Sequence, residues 1–193
     1  MRDVPKISGR RRAAIGPGRL ILVVGPSGAG KDTLIGRAKT ACAADVTIVF
    51  PRRVVTRESS AFEDNEQVSL EAFRQALARD QFAIHWEAHG HCYGLSRAID
   101  GDIRAGRTVV VNVSRTVVDA VREAYANVMV VSIAAPPEVL AERLAARARS
   151  SDGQIEHRIR RAAEVASAPD VTINNAGNVQ NHGRELVRII RGR

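Results

Sequence analysis

A buried strand followed at once by a glycine-rich loop constrains this 193-residue chain more than any other feature. Residues 20–24, LILVV, are wholly apolar and mostly branched, which is typical of a strand covered on both faces. The next residues, GPSGAGK, have the spacing Gly-x-x-x-x-Gly-Lys, and helix-forming residues follow them. Glycines let the backbone approach an anion closely, and the start of the next helix adds a positive dipole end. The segment therefore predicts a phosphate-binding loop.

Each part of this loop has an expected role in holding a nucleotide such as ATP. The residues predicted to bind ATP are Gly25, Pro26, Ser27, Gly28, Ala29, Gly30, Lys31, Asp32 and Thr33. The Lys31 ammonium is expected to pair with the terminal phosphates, which makes it the first predicted catalytic group. The next place normally holds a Ser or Thr that binds Mg²⁺, whereas this chain has Asp32 there and Thr33 after it. We expect the metal to be held by Asp32, by Thr33 or through water.

Composition and charge limit the classes of partner. Hydrophobic residues make up 45% of the chain, enough for one domain with a sizeable core. The formal net charge of +8 suits a polyanionic ligand, while aromatic residues at 4% argue against a surface that stacks bases. No apolar run approaches the length of a membrane span, and residues 1–19 lack the apolar core of a secretory signal. We therefore expect a cytoplasmic protein without a membrane partner.

Strands alternate with helices along the rest of the chain. We predict a second strand at 47–50 and 54–56 that is broken or edged by Pro51. Further strands are predicted at 82–86, 108–112, 127–134 and 171–174, and a turn at 87–94. We predict helices at 31–43, 70–79, 97–105, 116–125, 137–149, 155–167 and 179–190. This order predicts an α/β fold with a parallel sheet covered by helices on both faces. Ligands bind beyond the carboxyl ends of such strands, which places Lys31, Arg57 and Asn112 around one crevice.

Two groups of charged residues are candidates for chemistry besides the loop. Arginines flank the polar break at 150–153, and four of them are predicted to be catalytic lid residues: Arg143, Arg147, Arg149 and Arg158. A mobile lid would bring positive charge to the γ-phosphate during transfer, whereas the alternative is a solvated helical face. Arg53 and Arg57 follow the second strand and are interpreted as a phosphate clamp, while Arg52 is interpreted as surface charge.

A third cluster contains Glu87, His89, His91 and Tyr93. Zinc is one interpretation of two histidines near a glutamate, but no further Cys or His completes a site nearby. A polar loop that holds a hydroxylated or phosphorylated substrate fits the composition better. Glu87 and Tyr93 are the residues of this cluster that we expect to contact the substrate.

Several segments resemble the guanylate kinases. GPSGAGKDTL resembles their loop GPSGAGKSTL, VVTR their Thr-Thr-Arg, and VSLEAF their VSxEEF. QFAIHWEAHGHCYG is similar to their EVxGxxYG, and IAAPPEVLAERLAARAR to their arginine-rich lid helix. The resemblance covers nearly all of the chain after about Gly18. It implies a guanylate-kinase-like P-loop fold with a core at 19–56 and 97–193, a small inserted substrate subdomain near 57–96 and a helical lid near 143–160. Residues 1–18 are expected to form a flexible basic tail.

The departures from guanylate kinases point to a narrower family. The second arginine of their phosphate clamp is missing from Thr56-Arg57-Glu58-Ser59-Ser60, and their Asp-Ile-Asp reads Asn112-Val113-Ser114 here. Together with RRVVTR, WEAHG and VVVN-x-SR, these features are similar to the ribose 1,5-bisphosphate phosphokinases of bacterial phosphonate degradation. That resemblance implies Mg²⁺-dependent transfer of the γ-phosphoryl group of ATP to ribose 1,5-bisphosphate, forming 5-phosphoribosyl 1-diphosphate and ADP.

The resemblance also implies a set of residues that bind the phosphorylated ribose. They are Arg53, Arg57, Glu87, Tyr93, Asn112 and Arg115. Glu87 matches the glutamate that reads guanine in guanylate kinases, and we expect it to accept hydrogen bonds from ribose hydroxyls instead.

Two other functions compete with this hypothesis. One is a guanylate kinase or another nucleoside monophosphate kinase. The other is a non-catalytic module that binds nucleic acid through its basic tail, but the intact Lys31 and the arginine-rich lid argue against it. We therefore do not expect nucleic acid as a partner. The sequence leaves the oligomeric state open, a homodimer included.

Overall fold

The computed structural model describes residues 13–58, 64–147 and 168–192. The strands are β1 (Arg19–Val24), β2 (Ile48–Val49), β3 (Arg53–Val55), β4 (Asn65–Gln67), β5 (Phe82–Ala88), β6 (His91–Ser96), β7 (Thr108–Asn112), β8 (Val128–Ala134) and β9 (Val171–Asn174). The helices are α1 (Lys31–Ala41), α2 (Leu70–Ala78), α3 (Ala98–Arg104), α4 (Val118–Ala124), α5 (Pro137–Arg147) and α6 (Val179–Arg191). None of these helices is long and apolar enough to cross a membrane, a finding that covers the described residues alone.

The first sheet is parallel and has the strand order β2-β7-β1-β8-β9. β1 lies at its centre because every one of its residues from Leu20 to Val24 is apolar and buried. Leu20, Leu22 and Val24 pack with residues of α3 and α4 on one face. Ile21 and Val23 pack with residues of α1 and α6 on the other face. The predicted α/β fold with a parallel sheet covered on both faces is therefore confirmed.

The second sheet is mixed and has the order β4-β3-β6-β5. β5 and β6 form an antiparallel hairpin closed by His89 and Gly90, whose φ angles of 54° and 74° suit a two-residue turn. Trp86 and Tyr93 of this hairpin join the same apolar cluster as Leu20 and Leu22 of β1. The second sheet thus packs onto the core sheet through one continuous apolar layer.

Two predictions about this region are wrong. The single strand expected at 47–50 and 54–56 is two strands in different sheets, since β2 pairs with β7 and β3 pairs with β6. Pro51 and Arg52 lie between them and turn the chain from one sheet to the other. The turn expected at 87–94 is the end of β5, a tight turn and most of β6. Its histidines and glycines hid the strand pattern because they are depleted in strands or neutral there.

The flexible tail expected at 1–18 is also corrected for residues 13–18, which pack on the core. The amide of Ile15 donates to Ala124 O, and Ile15 O accepts from the Ala126 amide. Gly18 is buried, and a Cβ placed on it would lie 2.4 Å from Arg107 O. Residues 1–12 and the helix expected at 155–167 lie outside the described residues, and the helix expected at 137–149 is described as far as Arg147.

Candidate active site

The phosphate-binding loop joins β1, the central strand, to α1. Three of its glycines have left-handed or extended positive φ angles, namely Gly25 at 143°, Gly28 at 83° and Gly30 at 89°. A Cβ at Gly25 would lie 2.2 Å from Ile133 O, so no other residue fits there without a shift of β8. Because these angles are accessible to glycine, the backbone can curl and direct successive N–H groups to one side. The loop therefore has the conformation that an anion cradle needs.

Lys31 begins α1 and places its ammonium back over the loop. Its Nζ donates to Gly25 O and to Pro26 O, each at 2.9 Å. These two carbonyls belong to the first residues of the loop, so the charge lies across it instead of pointing into solvent. An ammonium held in this position can reach phosphate oxygens bound by the loop amides.

Asp32 is the next residue, and its carboxylate connects three elements. Asp32 Oδ1 accepts from Asn112 Nδ2 at the end of β7, at 2.8 Å, and from Arg53 Nη2 of β3, at 3.3 Å. Arg53 Nε in turn donates to Oδ1 of the buried Asn65 at 3.1 Å. The arginine side chain is 13% exposed and the Asp32 side chain 27% exposed. The negative charge beside the phosphate-binding loop is therefore balanced by a fixed guanidinium.

The oxygen donors at the start of α1 fit Mg²⁺. The Asp32 carboxylate is partly exposed, and the Thr33 hydroxyl belongs to an exposed residue next to it. Carboxylate and hydroxyl oxygens are the hard donors that Mg²⁺ prefers, and the ion keeps several waters in sites of this kind. Either residue can therefore hold the ion, directly or through water.

A cleft beside Asp32 separates the core sheet from the second sheet. Its walls include Phe50, Arg53 and Asn65 on one side and Asn112 and Asp32 on the other. Three of the residues predicted from sequence, Asp32, Arg53 and Asn112, thus meet at one place. Of the three residues expected around the crevice, Asn112 lines this cleft, whereas Lys31 and Arg57 are not among its lining residues.

Two aromatic rings of the hairpin and the guanidinium of Arg57, which follows β3, form another group of predicted site residues and their neighbours. Trp86 and Tyr93 stack with ring centroids 5.4 Å apart and an interplanar angle of 6°. The guanidinium carbon of Arg57 lies 6.0 Å from the centre of the Tyr93 ring, a distance at which a cation is attracted to the π face. Tyr93 is 8% exposed, so the ring is held in the core. The structure therefore brings two of the residues predicted to bind the acceptor, Arg57 and Tyr93, into contact with each other.

The structure does not bring Glu87 to the same face of the sheet. Trp86 pairs with Tyr93 and Glu87 pairs with Cys92, and successive residues of a strand point to opposite faces. Glu87 is exposed on the face that carries Cys92, where its charge, after burial, contributes to raising the pKa of the Cys92 thiol. A ligand that packs on the Tyr93 face is therefore not positioned by Glu87 in this arrangement.

The arginines of the expected lid are only partly described. Arg143 of α5 does not stand away from the loop, since its guanidinium donates to Gly28 O at 3.4 Å, Ala29 O at 3.5 Å and Asn175 O at 3.2 Å. Arg147 is the last described residue of α5, while Arg149 and Arg158 lie outside the described residues. Arg115, predicted to bind the acceptor, is partly buried at the start of a 3₁₀ turn after β7.

Sequence reasoning missed two buried asparagines that support the site. Asn65 positions Arg53, and Asn175 donates from Nδ2 to Ala29 O of the loop at 2.7 Å. Asn175 directly follows β9, as Asn112 ends β7, so both lie at the carboxyl edge of the parallel sheet. That position was a signal available in the sequence. Nothing local marks Asn65, which is five residues before the start of α2 in a polar stretch.

The fold and the site define the class of protein as a P-loop kinase. A glycine-rich loop joins the central strand of a parallel sheet to its helix, a lysine lies over that loop, and a second sheet lies across a cleft. Comparison with known proteins narrows the class. The model of the family described as guanylate kinase matches residues 17–191. A solved guanylate kinase from Anaplasma phagocytophilum has the same fold, with a TM-score of 0.64 at 20% identity over 93% of this chain and 86% of that chain.

Relatives of higher identity carry a different name. A protein of Bradyrhizobium diazoefficiens named ribose 1,5-bisphosphate phosphokinase PhnN is 61% identical over 99% of this chain and 97% of its own length. A protein of the same name from Rhodopseudomonas palustris is 64% identical over 92% of this chain and 90% of its own length. The chain therefore belongs to the guanylate kinase family, and within it to the ribose 1,5-bisphosphate phosphokinases.

Proposed function

We propose that this protein transfers the γ-phosphoryl group of ATP to the 1-phosphate of ribose 1,5-bisphosphate, which forms 5-phosphoribosyl 1-diphosphate and ADP. The observation that carries the proposal is identity of 61% and 64%, over nearly whole chains, with two proteins named for this substrate. The charge arrangement around Asp32 agrees with it, since Arg53 and Asn112 bond to the carboxylate at the cleft. ATP is the donor, so we place the reaction in the cytoplasm.

The reaction needs alignment and charge neutralisation more than it needs a base. An oxygen of the 1-phosphate forms a bond to the γ-phosphorus, and the bond from that phosphorus to the bridging oxygen breaks. The bridging oxygen leaves with ADP. A phosphate monoester is already ionised near neutral pH, so its oxygen is a nucleophile without proton removal. In-line positioning and cations around the transferred group supply most of the rate enhancement in such reactions.

On the donor side, the loop backbone and Lys31 hold the phosphates of ATP in this proposal. The loop amides from Gly25 to Gly30 surround the phosphates, and Lys31 Nζ moves from Gly25 O and Pro26 O to a phosphate oxygen. Asp32 or Thr33 holds Mg²⁺, directly or through water. When bound, Mg²⁺ neutralises charge on the β- and γ-phosphates.

On the acceptor side, Arg57 and Tyr93 form the wall against which the phosphorylated ribose lies. Arg57 offers a guanidinium for a phosphate, and its position over the Tyr93 ring limits where that charge can go. Arg53, Asn112 and Arg115 complete the proposed set from the cleft and from the turn after β7. Glu87 remains a predicted contact to the ribose hydroxyls, one that requires the acceptor to reach the outer face of the hairpin.

We also propose a catalytic role for the arginines of the expected lid. Arg143, already at the loop, and Arg147, Arg149 and Arg158 would add positive charge as the γ-phosphoryl group moves. Arg143 donates to three backbone carbonyls of the site, so its charge lies directly behind the phosphates. A guanidinium in this place favours the more negative transition state over the bound substrates.

An acceptor panel tests the proposal against its rival. Purified protein with ATP and Mg²⁺ is supplied in turn with ribose 1,5-bisphosphate, GMP and other nucleoside monophosphates, and ADP release is measured. We expect kcat/KM for ribose 1,5-bisphosphate to exceed that for GMP by about 100-fold or more, because a site with buried polar groups rejects an acceptor that leaves them unpaired.

Lys31→Met supplies the control, since it removes the ammonium and keeps the length of the side chain. Its turnover with ribose 1,5-bisphosphate should fall by about 100-fold or more, as for loss of one group that stabilises the transition state. A protein that phosphorylates GMP more efficiently than ribose 1,5-bisphosphate is a nucleoside monophosphate kinase, and the proposal is then wrong.

A further inference from the structure

We infer that Asn175 is a positioning residue for the phosphate-binding loop, one that sets the direction of the Gly30 N–H through the carbonyl of Ala29. The inference rests on the proposed function in one respect: it takes the loop to be the place where the phosphates of ATP bind. It concerns a residue that lies about 145 positions along the chain from the loop it holds, since the hydrogen bond joins residues 175 and 29.

Asn175 is fixed on both of its backbone sides. It directly follows β9, and its amide donates to Ala134 O at the end of β8, at 2.7 Å. Its carbonyl accepts from Arg143 Nη2 at 3.2 Å. The residue is 1% exposed. The side-chain amide therefore projects from an anchored point of the parallel sheet, not from a mobile connection.

The contact with the loop is short and faces a backbone acceptor. Asn175 Nδ2 donates to Ala29 O at 2.7 Å, whereas Arg143 Nη1 reaches the same oxygen only at 3.5 Å. A peptide unit is planar and trans, so its C=O and the N–H of the next residue point in opposite directions. An amide that holds Ala29 O on the buried side therefore turns the Gly30 N–H away from that side, toward the concave side of the loop.

The packing around Gly30 is matched to this asparagine. Gly30 has a φ of 89°, and a Cβ built on it would lie 2.3 Å from Asn175 Nδ2. The asparagine amide thus occupies the space next to the Gly30 Cα, and the peptide between Ala29 and Gly30 cannot rotate without moving it. Loss of the amide would leave Ala29 O with only the 3.5 Å contact from Arg143 Nη1, and the Ala29–Gly30 peptide would be less confined.

Burial of the Asn175 side chain opposes folding, so a contribution to stability does not explain why an asparagine is present here. Within the described residues, Asn175 Oδ1 is buried and has no hydrogen-bond partner. A buried acceptor without a partner opposes folding, and an apolar side chain of similar size would avoid that cost. The useful atom is therefore Nδ2, the donor to the loop.

Equilibrium binding of ADP to Asn175→Ala and Asn175→Asp, measured by calorimetry against the wild-type protein, tests the inference. We expect both variants to bind ADP about 10-fold more weakly or worse at about pH 8, since loss of the buried donor leaves Ala29 O with only the longer contact from Arg143 Nη1. The aspartate variant is nearly isosteric and separates loss of the donor from loss of volume.

The pH dependence of ADP binding by Asn175→Asp separates a positioning role from a purely structural one, because a purely structural role predicts no change with pH. Burial raises the pKa of a carboxyl group, whereas the nearby Arg143 guanidinium lowers it, so a change from about pH 8 to about pH 5.5 increases the neutral fraction, whose O–H can donate to Ala29 O. At about pH 8 it is a carboxylate facing a carbonyl oxygen. The ratio of variant to wild-type affinity should therefore approach one at the lower pH and fall at the higher pH. Use of the ratio cancels the protonation of ADP itself.

Asn174→Ala is the matched control, because it removes an exposed asparagine from the preceding position of the same strand. It should bind ADP as the wild-type protein does. Urea unfolding of all variants shows whether each is folded under the binding conditions. Asn175→Asp that is folded and binds ADP with wild-type affinity at both pH values would overturn the inference. Because the assay contains no acceptor, a wrong assignment of the acceptor would leave its outcome unchanged.

Discussion

Asp32 stands where phosphate-binding loops normally carry a hydroxyl, and its carboxylate is bonded to side chains from β3 and β7. A carboxylate there adds negative charge next to polyphosphate, which is unfavourable unless cations offset it. Arg53 lies 3.3 Å away and offsets part of that charge, and a divalent metal ion can offset more. The residue thus combines a structural bond on Oδ1 with the ability to bind a metal.

Replacement of Asp32 with asparagine tests the role of its charge in metal binding. Asp32→Asn keeps an oxygen at the site and removes the negative charge, so the Mg²⁺ concentration for half-maximal ADP formation should rise by about 10-fold or more. A titration of initial rate against Mg²⁺ at saturating ATP measures it. Asp119→Asn, an exposed aspartate of α4, serves as the control for net charge. An unchanged Mg²⁺ requirement in Asp32→Asn would remove Asp32 from the metal site and leave Thr33.

Residues of the site could be predicted from the sequence when the pattern that marks them lies within a short segment. Lys31 and the loop glycines follow from spacing within seven residues, because the loop closes on itself. Asn175 and Asn65 act through contacts with residues 146 and 12 positions away, and no short pattern marks such contacts. The position of Glu87 relative to Tyr93 could not be predicted, because the sheet face of each depends on a strand pairing that the sequence did not reveal.

At the scale of elements, strands with long apolar runs were predicted well and short polar strands were not. β1 and β7 are buried and rich in branched residues, β8 and β9 are buried in part, and the positions of all four agree with prediction to within about one residue. β2 and β3 have two and three residues, and β4 has the sequence Asn-Glu-Gln. Such strands owe their existence to neighbours in the sheet, which is why intrinsic preference does not identify them.

Two glycine-to-alanine substitutions compare an open position in α3 with a tightly packed position just before β1. Gly101 lies within α3, and a Cβ there meets nothing within 4 Å, so Gly101→Ala should stabilise the protein by about 0.5–1 kcal/mol. A Cβ at Gly18 meets Arg107 O at 2.4 Å and Ile103 O at 2.7 Å. Gly18→Ala should therefore destabilise by about 2 kcal/mol, as overpacking of a tight site does.

Urea unfolding of the two variants and the wild-type protein measures both effects. The same chemical change at two positions makes each variant the control for the other. If Gly18→Ala unfolded at the same urea concentration as the wild-type protein, the packing of residues 13–18 on the core would be wrong.

At the level of the whole molecule, apolar packing and a polar link through Arg53 join the two sheets. The apolar layer includes Trp86 and Tyr93 of the hairpin. The polar link runs from Asn65 through Arg53 to Asp32 and Asn112, and it crosses the cleft where donor and acceptor meet in the proposed reaction. Because Asp32 lies in the first turn of α1, directly after the phosphate-binding loop, the link connects the second sheet to the place where we propose that ATP binds.

A double-mutant cycle tests whether the link has measurable strength. Asp32→Ala, Arg53→Ala and the double variant are compared by urea unfolding, and the coupling free energy should be about 1 kcal/mol in favour of the native pair. The side chains are 27% and 13% exposed, so solvent screens the interaction only partly. The exposed pair Lys39–Asp64, with side chains 50% and 54% exposed, is the matched control and should couple by about 0.5 kcal/mol or less. Equal coupling in both pairs would mean that the link across the cleft is no stronger than a surface ion pair.

The central claim is that the loop presents ATP so that a sugar phosphate, not a base-bearing nucleotide, attacks the γ-phosphorus. The most direct measurement is ³¹P nuclear magnetic resonance of the products from ATP, Mg²⁺ and ribose 1,5-bisphosphate. The account predicts that ADP and 5-phosphoribosyl 1-diphosphate appear in equal amounts as the resonance of the 1-phosphate disappears. An unchanged 1-phosphate resonance, together with rapid conversion of GMP to GDP by the same preparation, would contradict it.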